Sequence, residues 1–154
     1  MQSTLASHRA APATGVLIMD VLHRRVDDAL DATLGADDGA FLQRFCGLVA
    51  ILEEAFATEE FWMEEADYPA MKQHREQHAR VLSGMHHVYC SLMAGDTGTA
   101  RKVVACLLPD FLKLHGDTMD TALSMHLQVS GMPQFGTPLS LSARQLLDWC
   151  KFRQ

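Results

Sequence analysis

Apolar residues recur along most of this chain at three- and four-residue intervals and nowhere alternate over any length, so helices are expected and a sheet is not. From Gly15 to about Leu34, the positions Val16, Met19, Val26, Leu30 and Leu34 mostly fit one helical face. The run Gly35-Ala36-Asp37-Asp38-Gly39 is rich in turn formers and ends that segment. A second helix is predicted from about Ala40 to Ala66, with Phe41, Phe45, Leu48, Leu52, Phe56 and Met63 on one side. Asp67-Tyr68-Pro69 stops it, and Pro69 suits the first turn of a third helix reaching about Ala94. Gly95-Asp96-Thr97-Gly98 precedes a fourth, about Thr99 to Val129, in which Pro109 marks a kink or a restart. Gly131 to Ser140 reads as a Gly/Pro loop, and Ser142 to Phe152 as a short helix carrying Leu146, Leu147 and Trp149. The expected fold is all-α: an up-down-up-down four-helix bundle over residues 15–130, preceded by an N-terminal arm (1–14) and followed by a loop and a short C-terminal helix (131–154). That last helix is expected to cap the bundle.

Composition narrows the function more than the fold. With 154 residues, 48% hydrophobic and 21% charged, the chain is a globular domain able to bury a core, not a disordered one. Its 19 acidic against 13 basic residues give a net charge of -6, the wrong sign for the cationic footprint of a nucleic-acid binder. No apolar run approaches the roughly 18 residues of a membrane-spanning helix, and the N-terminus lacks the pattern of a secretory signal, so a cytoplasmic location is expected. Cys46, Cys90, Cys106 and Cys150 lie far apart without a C-x-x-C, which points to buried, reduced thiols.

The eight histidines are the remaining compositional feature. His74 and His78 stand four apart, a spacing that stacks two imidazoles on one helical face within reach of a single metal ion. Imidazole suits iron, zinc, copper and nickel alike, so the pair does not name the metal. The zinc-protease pattern H-E-x-x-H is absent, because the intervening glutamate, Glu76, sits one place late. The E-x-x-H motif of ferritin-like carboxylate bundles is absent too. The other helices add His23, Glu59 within an acidic cluster, and His115 followed five residues later by Asp120. In a regular α-helix five residues turn through about 140°, so His115 and Asp120 are expected to straddle the inward line rather than stack. His8, His86, His87 and His126 read as surface or partly packed residues.

Taken in order, these motifs resemble those of the hemerythrin family. Gly15-Val16-Leu17-Ile18-Met19-Asp20-Val21-Leu22-His23 is similar to its opening G-[VI]-x-x-[IM]-D-x-x-H. Phe56-Ala57-Thr58-Glu59-Glu60-Phe61-Trp62-Met63 and Tyr68-Pro69 resemble H-F-x-x-E-E-x-x-M followed by Y-P. His74-x-x-x-His78 and His115-x-x-x-x-Asp120 match its last two motifs. The resemblance covers about residues 15–125. It implies a non-haem di-iron centre in a four-helix bundle that binds O2, or another small diatomic or anionic ligand, for oxygen binding, sensing or delivery. His74, His78 and His115 would serve one iron and His23 the other, with Glu59 and Asp120 bridging and Phe56 and Trp62 lining a ligand pocket.

Two positions depart from the family pattern. The histidine expected four residues before Glu59 is Ala55, which ligates nothing. Glu54 or Glu53 would replace it, or water would fill the place, or only the three-histidine position would be occupied. The residue after His115 is Gly116 where the family commonly has a large aliphatic, so the pocket is expected to be roomier unless Trp62 or another bulky side chain refills it. A binding protein is the expectation over an enzyme. An under-liganded iron acting on peroxide or NO is the first alternative, and an iron-handling or iron-sensing protein the second.

Overall fold

A computed structural model describes residues 13–131, and within them the backbone is helical with no strand. Four rods form the bundle. They are α1 (Leu17–Leu34), α2 (Asp38–Glu65), α3 (Met71–Met93) and a continuous fourth rod, α4 (residues 97–129). Short connections make successive rods antiparallel neighbours: α1 packs on α2, α2 on α3, α3 on the start of α4, and α4 also against α1. The expected tail helix, its capping role and most of the N-terminal arm lie outside the described residues, as do His8 and Cys150.

α2 and α4 each begin two residues earlier than the sequence pattern suggested. Asp37 and Asp96 act as N-caps rather than as turn formers: their carboxylates accept from Ala40 N at 2.9 Å and Thr99 N at 3.0 Å. Such a cap satisfies one of the orphan donors of the first turn, contributing about 1 kcal/mol. The end of α2 is equally specific. Asp67 adopts φ +47, and the amide of Tyr68 donates to Met63 O at 2.9 Å while that of Asp67 donates to Glu64 O at 3.3 Å. This is a Schellman closure with an aspartate in the left-handed position usually held by glycine. It turns the chain so that Tyr68 packs inward, and α3 then starts at Met71, two residues beyond Pro69.

α4 departs most from a simple helix. Its α-helical segments Thr97–Lys102, Leu108–His115 and Thr121–Val129 are joined by single π turns at Val103–Leu107 and Gly116–Asp120. The first lies just before Pro109, which has no amide hydrogen to give and crowds the carbonyl four residues back. A bond from Leu108 N to Val103 O, five residues back, carries the rod into this site without breaking it.

The apolar face read from α2 is buried throughout, with Phe41, Phe45, Leu48, Leu52, Phe56 and Met63 in the core beside Met19, Val26 and Leu30 of α1 and Leu123 and Leu127 of α4. Each such side chain contributes about 1.5–3 kcal/mol on burial. Cys46, Cys90 and Cys106 correct the expectation of buried thiols: all three are free and exposed. Cys46 immediately follows the buried Phe45, and one residue turns a helix through about 100°, out of the core face. No helix among the described residues is long and apolar enough to cross a membrane.

Candidate metal centre

The buried imidazoles and carboxylates among the described residues, Glu59, His74, His78, His115 and Asp120, all meet at one place inside the bundle. Each rod delivers its share for a local reason. On α1, Asp20 accepts from the amide and hydroxyl of Thr14 at 2.7 and 2.8 Å, which fixes the entry of the chain and sets His23 one turn on, facing inward. On α2, Glu59 continues the buried stripe of Leu52, Ala55 and Phe56. On α3, His74 and His78 take the buried face that continues to Met85 and Val88.

α4 supplies His115 and Asp120, and here the 140° separation expected of an α-helix does not arise. The π turn between them closes with Thr121 N donating to Gly116 O, five residues back, reinforced by Thr121 Oγ1 at 2.9 Å from the same carbonyl. The wider turn absorbs one residue, so Asp120 comes round over His115 and its Oδ1 lies 3.1 Å from His115 Nε2. The two residues converge instead of straddling.

The donors form two overlapping sets: Glu59, His74, His78 and His115, and His23, Glu59 and Asp120. In the first, His115 Nε2 lies 3.1 Å from His74 Nε2 and 3.2 Å from His78 Nε2. Nitrogens bound side by side to one ion at about 2.1 Å stand about 3.0 Å apart, so this spacing fits a shared cation. The carboxylates divide their oxygens between the sets. Glu59 turns Oε1 toward His23 at 3.7 Å and Oε2 toward His78 at 3.2 Å and His74 at 3.5 Å. Asp120 turns Oδ2 toward His23 at 3.1 Å and Oδ1 toward His74 and His115 at 3.2 and 3.1 Å.

The protein alone leaves this arrangement unsatisfied. Glu59 Oε2, Asp120 Oδ1 and both ring nitrogens of His23 are buried without a hydrogen bond, despite the close approaches. The outer nitrogens of two of the imidazoles, by contrast, have partners. His78 Nδ1 donates to Glu60 Oε1 at 3.1 Å, since a carboxylate only accepts, and His115 Nδ1 donates to Gln77 Oε1 at 3.0 Å. With Nδ1 of each ring held outward, the two Nε2 atoms are turned toward each other across 3.2 Å, close enough to share one cation. The residues therefore fit a metal ion.

The charges agree. Burial lowers the pKa of the His23 imidazole, but the Asp120 and Glu59 carboxylates outweigh it and lift it to about 10. His74, also opposed by burial, is lifted to about 9 by the same pair. Burial and the Asp120 charge push Glu59 up, yet His23, His74 and His78 hold it well below the usual carboxylate range. Asp120, opposed by burial, is held down by His115, His23 and His74. Both acids are thus anionic, and the site draws positive charge.

Around the donors, Phe56 stacks on His78 with ring centroids 3.9 Å apart and planes 4° from parallel, and Phe111 lies 5.3 Å from His115. A cavity of ≈ 30 Å³ adjoins the centre beside Ala55, lined also by His23, Asp27, Phe56, Glu59 and Asp120. It holds about one or two waters. Trp62 and Gly116 do not line this cavity: both are buried, Trp62 in the core and Gly116 at the start of the π turn. Neither acidic neighbour of Ala55 turns toward the gap. Glu54 makes a two-pronged bond to Arg25 at 2.7 and 2.8 Å, and Glu53 pairs with His86 at 2.9 Å. Glu60 and Gln77 are contacts to which the sequence pattern gave no role. Glu60 stands beside Glu59 in the E-E of its motif without a partner being foreseen for it, and Gln77 is an unspecified position between His74 and His78.

No family model matches the chain, and no solved structure matches it. Over 112 residues, 73% of this chain and 81% of its relative, it is 31% identical to the bacteriohemerythrin of Ralstonia nicotianae.

Proposed function

The chain belongs to the bacteriohemerythrin family of hemerythrin-like metal-binding proteins, and on that premise we propose that it holds a non-haem di-iron centre that binds O2 or a related small ligand. The observation that carries this reading is the division of oxygens by Glu59 and Asp120, each offering one to the three-histidine side and one to His23. A single-ion site would have no use for two carboxylates spread in this way. When bound, a pair of irons supplies reversible electron transfer to O2.

The side chains around the centre would hold that pair and shield it with apolar surface. His74, His78 and His115 would take one iron and His23 the other, with Glu59 and Asp120 spanning them. Glu60 and Gln77 fix the tautomers that aim His78 and His115 inward. Phe56 and Phe111 cover the imidazoles with apolar surface, and the cavity at Ala55 gives a diatomic ligand a place next to His23. Oxygen binding, sensing or delivery in the cytoplasm is the role this supports.

Metal analysis of purified protein, with absorption recorded while O2 is admitted and removed, tests the reading. Two irons per chain, one for each donor set, and a visible band that follows O2 reversibly are expected. Zinc bound without preference for iron would overturn it, as would irreversible oxidation with turnover of added peroxide.

A further inference from the structure

The two donor sets are unequal. The three-histidine set offers four donors, with Asp120 Oδ1 a further 3.1 Å from His115 Nε2. The other set, among the described residues, is His23, Glu59 and Asp120. Three protein donors on one iron ion are the arrangement of non-haem sites that keep positions open to external ligands. The fold leaves room on this side. Ala55, 3% exposed, stands one turn before Glu59 on the buried face of α2 and lines the cavity of ≈ 30 Å³ described above. That cavity has polar edges at His23, Asp27, Glu59 and Asp120 and apolar walls at Leu52 and Phe56. One water needs about 10–15 Å³ of such volume and about two to four polar partners. The cavity exceeds the first requirement, and an ion together with the carboxylates of Glu59 and Asp120 meets the second.

We propose that the space beside Ala55 is a solvent-ligand position: a water coordinated to the ion held by His23, Glu59 and Asp120 stands where α2 sends no donor, and it stays on that ion beside the external ligand. This rests on the two-ion reading above. It makes the two ions differ in kind. Side chains surround the three-histidine ion, while the His23 ion keeps one place for the external ligand and a second for exchangeable solvent. A metal ion makes its bound water more acidic. The external ligand is therefore seated next to a strong hydrogen-bond donor that comes from solvent rather than from the chain.

The test uses the full chain loaded anaerobically with iron(II), its iron content measured first, and then exposed to nitric oxide. The nitrosyl-iron signal is recorded by electron paramagnetic resonance in ordinary water and in water enriched in the magnetic isotope of oxygen. A water bound to the same iron as nitric oxide broadens the signal in the enriched solvent. Broadening is expected in the unaltered protein. Its loss is expected in Ala55→His, which supplies a nitrogen donor, and in Ala55→Leu, which fills the space without one. Ala55→Val repeats the filling with a smaller side chain, should the larger one disturb folding. Two irons per chain with no broadening in the unaltered protein overturn the inference alone. Broadening that persists in Ala55→His overturns it too, since the water then sits elsewhere on the ion. A single iron in the unaltered protein defeats the two-ion reading and the inference with it.

Discussion

Removing the outer partners of the imidazoles should weaken metal binding without touching a donor. His78 Nδ1 gives its proton to Glu60 at 3.1 Å, a carboxylate steadied on its far side by Arg75 at 3.2 Å and only 26% exposed. A hydrogen bond to a charged acceptor of this kind contributes about 1.5–3 kcal/mol. At 1.4 kcal/mol per tenfold, Glu60→Ala is expected to lower metal affinity about ten- to a hundredfold. Glu60→Gln keeps an acceptor and loses the charge, so about 1 kcal/mol, or roughly fivefold, is expected. Gln77→Ala removes a neutral acceptor from His115 and should fall between them, at up to about tenfold. Glu53→Ala, which breaks an exposed pair with His86, is the control and should change nothing. Competition against a chromophoric chelator, with far-ultraviolet circular dichroism to verify folding, measures all four. If Glu60→Ala stays within about twofold of the unaltered protein while folded, the outer bonds do not aim these imidazoles and the reasoning fails.

Other expectations follow from the same geometry. The metal-free protein should have a bounded window of pH stability. His23 and His74 are raised from 6.5 to about 10 and about 9, so their contribution is complete below 6.5 and vanishes as pH rises through those values. Glu59 and Asp120 are depressed from 4.5 and 3.8, so theirs is complete above those values and is lost as pH falls toward their folded pKa. Thermal denaturation across pH should be highest between the two limits, and a flat profile from pH 4 to 10 would contradict it. Phe56→Ala removes a buried ring stacked on His78 and should destabilise the fold by about 3–5 kcal/mol in urea titrations, whereas a cost below about 1 kcal/mol would mean the ring is not packed as described. Cys46, Cys90 and Cys106 should react with a thiol reagent in the native state, and protection of all three until unfolding would show their helical faces to be covered.

The four rods and their buried faces were legible because a 3.6-residue period repeats over long segments, as with Phe41, Phe45, Leu48 and Leu52. The donor-bearing positions were legible for a different reason: six polar, chemically specific residues fall at motif spacings on successive helices. What the pattern hid depends on neighbours or on backbone detail. Asp37 and Asp96 looked like parts of turns because a cap and a turn use the same residue type. The partnership of Glu60 with His78 joins two helices, and single-helix periodicity carries no information about it. The π turns escaped because one extra residue in a helix has no composition of its own.

The π turn at Gly116–Asp120 also keeps the rest of α4 in frame. Leu123 and Leu127 lie eight and twelve residues beyond His115, which in an unbroken α-helix would set them about 80° and 120° round from its face. Counting one residue as absorbed by the wide turn, they come within about 20° of it, and both are in fact buried. The same slip that brings Asp120 over His115 thus rephases the last helical turns onto the core. Losing one residue here would leave the composition almost unchanged yet rotate everything downstream to the wrong side. The number of residues between His115 and Asp120 is therefore held from two directions, by the chemistry at the centre and by the packing at the end of the rod.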